Sequence, residues 1–418
     1  MKSMALDRIG ERVVSPRLPG GASWPIASIL ISCIFLQRLG ISFGSNKLPL
    51  PALIVVAVFL LLIARNEVLI SASSLSRYLL LCTCAVFSTA LALAFPPSST
   101  EASIPSVYYL LLLYAFVVLR PRAAIGILPT LRLFRSFVAI VAICGALQFA
   151  LQFVGIRLFS FEGIVPEALL GEAGSNVVIP IWPGAAVYKA NGFFMSEPSS
   201  FSQLLALGIV VEFIYFRSTL RMAMLAAALL LAFSGTGLLV LGFAVLLVSL
   251  GDRRLLSQLA KFGIVAVVVV VLFSAFASQE YLDAFTRRTT ELSGERSSGH
   301  LRFVTPYKML AELASDTRLL VGFGPGTAER FRDFRYGINA LTKTLIEYGI
   351  VGLLAYVSLL MSVFYRRDMR LLSAVCLFLF VFGGGYLLNP PIVYLLTALL
   401  TWGPGEAVGA SAEVRNIA

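Results

Sequence analysis

Charge is scarce in this sequence. Only 13% of its 418 residues are Asp, Glu, Lys or Arg, against 58% that are hydrophobic. A soluble globular domain carries about 25% charged residues. Too little polar surface is left to coat a water-exposed body of this length. Cysteine is also sparse. Cys33, Cys82, Cys84, Cys144 and Cys376 all lie in apolar runs and read as small buried hydrophobes. Cys82 and Cys84 stand one residue apart, which is not a metal-pair spacing. Neither a disulfide framework nor a metal site is indicated. There is one histidine, His300. Without cysteine partners it does not build a protein zinc site. No cofactor is expected.

Long apolar runs are abundant. A helix needs roughly 20 mostly apolar residues to cross a hydrocarbon core about 30 Å thick. The expected fold is all-α, a polytopic membrane protein. Its twelve spans are 24–43, 49–64, 78–95, 106–119, 133–154, 199–216, 221–233, 236–250, 262–277, 340–364, 371–388 and 390–402. The stretch 221–250 is divided at Ser234-Gly235-Thr236-Gly237, because this puts the Arg217/Arg221 and Arg253/Arg254 clusters on one side.

The formal charge of +11 is not a nucleic-acid footprint. The basic residues form short clusters between apolar runs and alternate in side as the positive-inside rule requires. Arg65 and Arg77 share a side with Arg120, Arg122, Arg132 and Arg135, and so do Arg366, Arg367 and Arg370. The short loops opposite hold only Arg38 and Lys47. This makes 1–23 a cytoplasmic tail before an uncleaved first span, 24–402 the transmembrane bundle, and 403–418 a second cytoplasmic tail.

Two long connections, 155–198 and 278–337, then fall outside the cytoplasm. Long connections of this kind usually serve a function. The second holds a helix signal, with Thr305 as cap, Pro306 in the first turn, and Tyr307, Leu310, Leu313 and Ala314 on one apolar face. It also carries nine basic and eight acidic residues, so it is not a basic carpet for lipid. Its arginines are either solvated and self-paired or turned inward to grip phosphate with their planar forks. Arg287, Arg288, Arg296, Arg302 and Arg330 are the candidates for the second role. His300 reads either as structural or as a catalytic group, since histidine is suited to proton transfer. Gly322-Phe323-Gly324-Pro325-Gly326 lacks the strand–helix setting of a nucleotide loop and reads as a tight turn fixing the loop against the bundle.

Two constellations flank these loops. Asn339, Lys343 and Glu347 are spaced by four and share one helix face. They read either as a Lys343–Glu347 interfacial ion pair or as the polar wall of a substrate chamber. Lys189 opens the segment that runs to Glu197-Pro198-Ser199. Glu197 reads either as a helix-capping residue or as a general base at a chamber rim.

These motifs resemble those of the bacterial O-antigen polymerase (Wzy-type) and O-antigen ligase superfamily. Asn191-Gly192-Phe193-Phe194 with Glu197-Pro198-Ser199 is similar to the stretch before its middle span. Ser234-Gly235-Thr236-Gly237 stands at its small-residue break. Ser298-Gly299-His300-Leu301-Arg302 followed by Gly322-Phe323-Gly324 resembles its large periplasmic loop. Asn339 with Leu345, Glu347, Gly349 and Gly352 resembles the motif opening the next span. The resemblance spans about 180–355. It implies a glycosyltransferase of the inner membrane that acts at the periplasmic face on undecaprenyl-diphosphate-linked glycans, as both donor and acceptor. A hydroxyl attacks the anomeric carbon and lipid diphosphate leaves. No metal or nucleotide is required, and no nucleic acid is bound. Membrane lipid surrounds the chain, and a flippase and a chain-length regulator are the implied protein partners. Glu197 and His300 become the catalytic candidates. Lys189, the five arginines, Asn339, Lys343 and Glu347 become substrate-binding ones.

Two positions depart from the pattern. Ligases have a histidine where this chain has Ile338, which favours a polymerase of O-antigen, capsule or exopolysaccharide repeats. An arginine often found near the break is replaced by Gly235. The alternatives are a ligase-type transferase, a twelve-span polysaccharide transporter or flippase, and an inactive scaffold of the assembly machinery.

Overall fold

The stretch Leu256–Ala275 is long and strongly apolar, and none of its most apolar window is buried inside the protein. Ile264, Val267 and Val271 are each more than half exposed. A helix with that surface is suited to hydrocarbon, where lipid tails replace water around it. The computed structural model describes residues 24–43, 46–96, 101–122, 126–171, 177–251, 253–276, 278–286, 300, 303–330 and 338–402. The two tails, 1–23 and 403–418, lie outside the described residues.

The protein is mostly helical. In chain order the helices are α1 (Trp24–Phe35), α2 (Leu50–Ala64), α3 (Ala72–Ala94), α4 (Ile104–Ala115), α5 (Ile127–Leu151) and α6 (Pro198–Val211). There follow α7 (Thr219–Leu231), α8 (Gly235–Gly251), α9 (Arg253–Phe276), α10 (Gln279–Thr286) and α11 (Thr305–Leu313). The last three are α12 (Ala340–Phe364), α13 (Arg370–Phe382) and α14 (Pro390–Leu400). Among the described residues, five stretches are long and apolar enough to cross a membrane: Ala72–Ala94, Ile127–Val154, Pro198–Phe216, Leu256–Ala275 and Ala340–Phe364. The other apolar helices are shorter. At 1.5 Å per residue a 12-residue helix such as α1 reaches only about 18 Å.

Several predicted boundaries move, for local physical reasons. The span expected over 24–43 stops at Phe35. Gly40–Phe43 (β1) instead pairs antiparallel with Asn46–Pro49 (β2). Here Arg38 turns away from the helix and is almost fully buried. A second antiparallel pair joins Val68–Ile70 (β3) to Leu119–Pro121 (β4). The break expected at Ser234–Gly237 exists, displaced slightly towards the N-terminus. Helix α7 ends at Leu231, and Phe233 takes the left-handed conformation with φ 44°. Its ring packs with Phe149, Phe273 and Tyr281. The loop helix α11 forms as expected, but its buried side is Thr305, Pro306 and Met309, while Tyr307 and Ala314 are exposed.

Helix α6 runs through the interior. It packs on α8, α7 and α5, and most of its span is buried. Helix α12 packs most extensively on α3, and α1 on α14 and α2. Buried hydroxyls stitch α4 to α12. Tyr114 and Tyr356 share a hydrogen bond of 2.6 Å, and Tyr114 also donates to the Leu387 carbonyl. By contrast, α9 touches mainly α7 and α8. Helix α6 ends in a π-turn at Glu212–Phe216. Glu212 is buried there, with Arg135 Nε at 2.6 Å and Arg221 Nη1 at 3.8 Å.

Candidate functional site

The described residues of the first long connection are tied to the bundle. Arg38 Nη1 donates to the Phe193 carbonyl at 2.5 Å, and Nη2 donates to the Phe159 carbonyl at 2.9 Å. The guanidinium also lies 4.2 Å from the Phe161 ring centre. Lys47 Nζ reaches the Leu170 carbonyl at 2.6 Å. Asn191 is fully buried and exchanges two hydrogen bonds with Gln148 of α5, Gln148 Nε2 to Asn191 Oδ1 at 2.8 Å and Asn191 N to Gln148 Oε1 at 2.9 Å. Asn191 Nδ2 also donates to the Val177 carbonyl. The buried amides of Asn191 and Gln148 thus satisfy each other and nearby carbonyls, as burial demands. Gly192 and Phe193 turn through positive φ. A Cβ on Gly192 would meet Phe201 and Val141, so the bare backbone lets this turn press onto α5 and α6.

That turn delivers Glu197 to the start of α6. Glu197 takes the N-cap position, followed by Pro198 in the first turn, but its side chain makes no capping bond. Ser199 Oγ donates to Glu197 Oε2 instead, at 2.9 Å. The break before α8 packs against the same helix start. Thr236 Oγ1 donates to the Ser199 carbonyl at 3.3 Å and shares a hydrogen bond with Ser202 Oγ at 3.1 Å. Gly237 N donates to Ser202 Oγ at 3.2 Å. A Cβ on Gly237 would lie 2.7 Å from the Ser202 carbonyl carbon. Glycine is therefore what allows α8 to approach α6 so closely. Glu197 is half-buried, with the Ser199 hydroxyl on its carboxylate, and a carboxylate so placed is able to accept a proton from an alcohol.

The second cluster centres on a discontinuity in α12. Gly349 adopts φ 72° and ψ −176° inside the helix, which frees carbonyls that would otherwise bond within it. The Gly322–Gly326 turn satisfies them. Phe323 N donates to the Ile346 carbonyl at 2.8 Å, and Gly324 N donates to the Glu347 carbonyl at 3.0 Å. Ser88 Oγ of α3 also donates to the Glu347 carbonyl, at 2.9 Å. On its other side the turn reaches the start of α4, where Ser103 N donates to the Pro325 carbonyl at 2.7 Å. This segment holds the second loop against the bundle, as its glycines imply.

Asn339 caps α12 by accepting from Thr342 N at 2.9 Å. One and two turns on, Lys343 and Glu347 are both buried. Lys343 Nζ lies 3.6 Å from Glu347 Oε1 and 2.5 Å from Glu329 Oε1. The expected ion pair is therefore a three-membered cluster of one ammonium and two carboxylates. Glu329 is mostly exposed and Glu347 is not exposed at all. The cluster runs from a wet rim to a dry floor.

The predicted site residues thus divide. Asn339, Lys343 and Glu347 come together at the head of α12. Glu197 stands at the α6–α8 junction. Lys189 is buried just ahead of Asn191, and its backbone N donates to the Ile179 carbonyl at 2.9 Å. His300 is buried, and its carbonyl receives Val304 N at 2.8 Å at the entrance to α11. Arg330 is exposed and its Nη1 donates to the Glu101 carbonyl at 2.7 Å. Arg287, Arg288, Arg296 and Arg302 lie outside the described residues.

Sequence reasoning passed over several polar residues that the fold uses. Gln203 is buried in mid-α6, donates to the Gly383 carbonyl at 2.8 Å, and accepts from the Tyr386 hydroxyl. Gln148, Ser88 and Glu212 have comparable roles. Their signal was a polar side chain inside an apolar run, which at membrane depth needs a partner. No protein-family profile, curated protein or solved structure matches the chain.

Proposed function

We propose that the chain is an inner-membrane polymerase of undecaprenyl-diphosphate-linked oligosaccharide repeats, with twelve spans, both termini cytoplasmic, and the two long loops in the periplasm. One observation supports this reading above others. The four motifs that resemble the O-antigen polymerase and ligase superfamily lie far apart in sequence, yet they dock in pairs. The Glu197-Pro198-Ser199 segment meets the Ser234–Gly237 break through Ser199, Ser202, Thr236 and Gly237. The Gly322-Phe323-Gly324 turn meets the α12 motif through Ile346 and Glu347.

In this proposal Glu197 is the general base for the acceptor hydroxyl, with His300 the second candidate for that role. Lys189, Lys343 and the loop arginines hold the diphosphate and offset the charge that develops as it leaves. Asn339 and Glu347 set the polar wall that aligns the acceptor with the donor. A flippase would supply the repeats, and a chain-length regulator would act on the product.

The break in α12 invites a transporter reading, because discontinuous helices expose backbone groups to substrates. Here the freed Ile346 and Glu347 carbonyls are already occupied by Phe323 N and Gly324 N. That favours a fixed wall over a substrate-facing hinge. Deletion followed by glycan chain-length analysis distinguishes the roles. Loss of long chains with single repeats retained supports the polymerase. Cytoplasmic-face lipid-linked repeats would mean a flippase, and full-length polymer left on its lipid carrier would mean a ligase.

A further inference from the structure

At the opposite end of α12 from the Lys343 cluster lies a cation with no counter-ion among the described residues. Arg120 sits in β4, half-buried, where the ends of α4, α12 and α14 converge. The Trp402 indole donates to the carbonyl of the adjacent Leu119 at 3.1 Å, and Arg366 Nη1 donates to the Leu400 carbonyl at 3.4 Å. Arg366 is neutralised by Asp368 through two contacts, at 3.1 and 2.7 Å. Arg120 is not. Its Nε is buried with no hydrogen-bond partner, and its guanidinium makes no ion pair among the described residues. Burial and the neighbouring Arg366 charge both press on its protonated form.

A half-buried guanidinium with unused donors beside a second arginine is unfavourable unless an anion fills the fork. What borders it identifies the anion's source. Arg120 is directly opposite Leu69 in the β3–β4 pair, so the two side chains share a face. Leu69 is 46% exposed. A free phosphate has no use for that apolar border, whereas a lipid supplies acyl chains to cover it. Basic pockets between membrane helices select anionic headgroups by this combination.

We propose that Arg120 binds the phosphate of an anionic lipid headgroup at the junction of α4, α12 and α14, with an acyl chain over Leu69. The site is independent of the polymerase reading and is tested without it. The full chain in nanodiscs of mixed phosphatidylglycerol and phosphatidylcholine is analysed by native mass spectrometry for retained lipid. Wild type is expected to retain phosphatidylglycerol preferentially. Arg120→Gln is expected to lower that preference about fivefold, the equivalent of one basic contact near a membrane surface. Arg122→Gln, at an exposed neighbour, is expected to leave it unchanged. Because the Arg120 guanidinium makes no bond among the described residues, Arg120→Gln is expected to melt like wild type in phosphatidylcholine alone. An unchanged preference in Arg120→Gln, an equal loss in Arg122→Gln, or an Arg120→Gln chain that fails to fold would each overturn the site. So would inorganic phosphate raising the wild-type melting temperature in phosphatidylcholine, since the ligand would then be free phosphate.

Discussion

Gly322 and Gly349 meet backbone to backbone: a Cβ on Gly322 would lie 2.7 Å from Gly349 N. Both adopt positive φ, 93° and 72°. This contact sews the second long loop into the break in α12. It fixes Glu329 above Lys343 and Glu347.

Substituting alanine at Gly349 should disturb that seam in two ways. The left-handed φ disfavours any Cβ, and the added carbon would run into the Leu320 carbonyl. Positive φ and overpacking together cost about 2–4 kcal/mol. Gly349→Ala is expected to melt several degrees below wild type in detergent. Gly242→Ala, where a Cβ meets nothing within 4 Å, should melt like wild type or slightly above it.

The Lys343 cluster makes a signed statement about a buried pair. Removing the ammonium alone strands the Glu347 carboxylate, at a cost of about 3–5 kcal/mol. Lys343→Met is expected to be the most destabilising change in the cluster. Lys343→Met with Glu347→Gln is expected to recover part of the loss, because the stranded charge goes with it. A double-mutant cycle on melting temperature reads this directly.

Arg38 ties the first long connection to the bundle through Phe159 and Phe193. Arg38→Ala should release it. Limited proteolysis is expected to cut within 155–198 several times faster in the variant, with cleavage elsewhere unchanged.

Much of this was legible in the sequence. The division of 221–250 followed from arginine clusters at its ends, and the glycine turn at 322–326 followed from composition. Other parts were not legible, and the reasons are physical. Period and hydropathy mark where a helix can form but not where the chain leaves it to bury a polar side chain, as it does at Arg38 just past α1. The spacing of Lys343 and Glu347 gave their shared face. It could not give Glu329, which arrives from a separate loop. Nothing in a run of apolar residues announced that Gly349 would leave the helical region, since helical glycines are common in membrane spans.

A reporter fusion at residue 315 checks the layout on which the proposal rests. The expected result is a periplasmic signal, and a cytoplasmic signal would remove the loop from the substrate's side of the membrane.

Glu197→Gln keeps the shape of the carboxylate and removes its basicity. In the proposed reaction, loss of a general base lowers the rate about 10²–10⁴-fold. The variant is expected to reach the membrane at wild-type levels and to yield single repeats in place of long chains. An unchanged chain-length pattern would take Glu197 out of the chemistry and leave His300 as the candidate.

The central claim is that this chain joins lipid-linked repeats. It is tested most directly with the purified protein in liposomes, supplied only with undecaprenyl-diphosphate-linked repeat units and analysed by gel for product length. The account predicts a ladder of multimers with release of undecaprenyl diphosphate, and much less product from Glu197→Gln. Repeats that remain single in the presence of folded wild-type protein would contradict it.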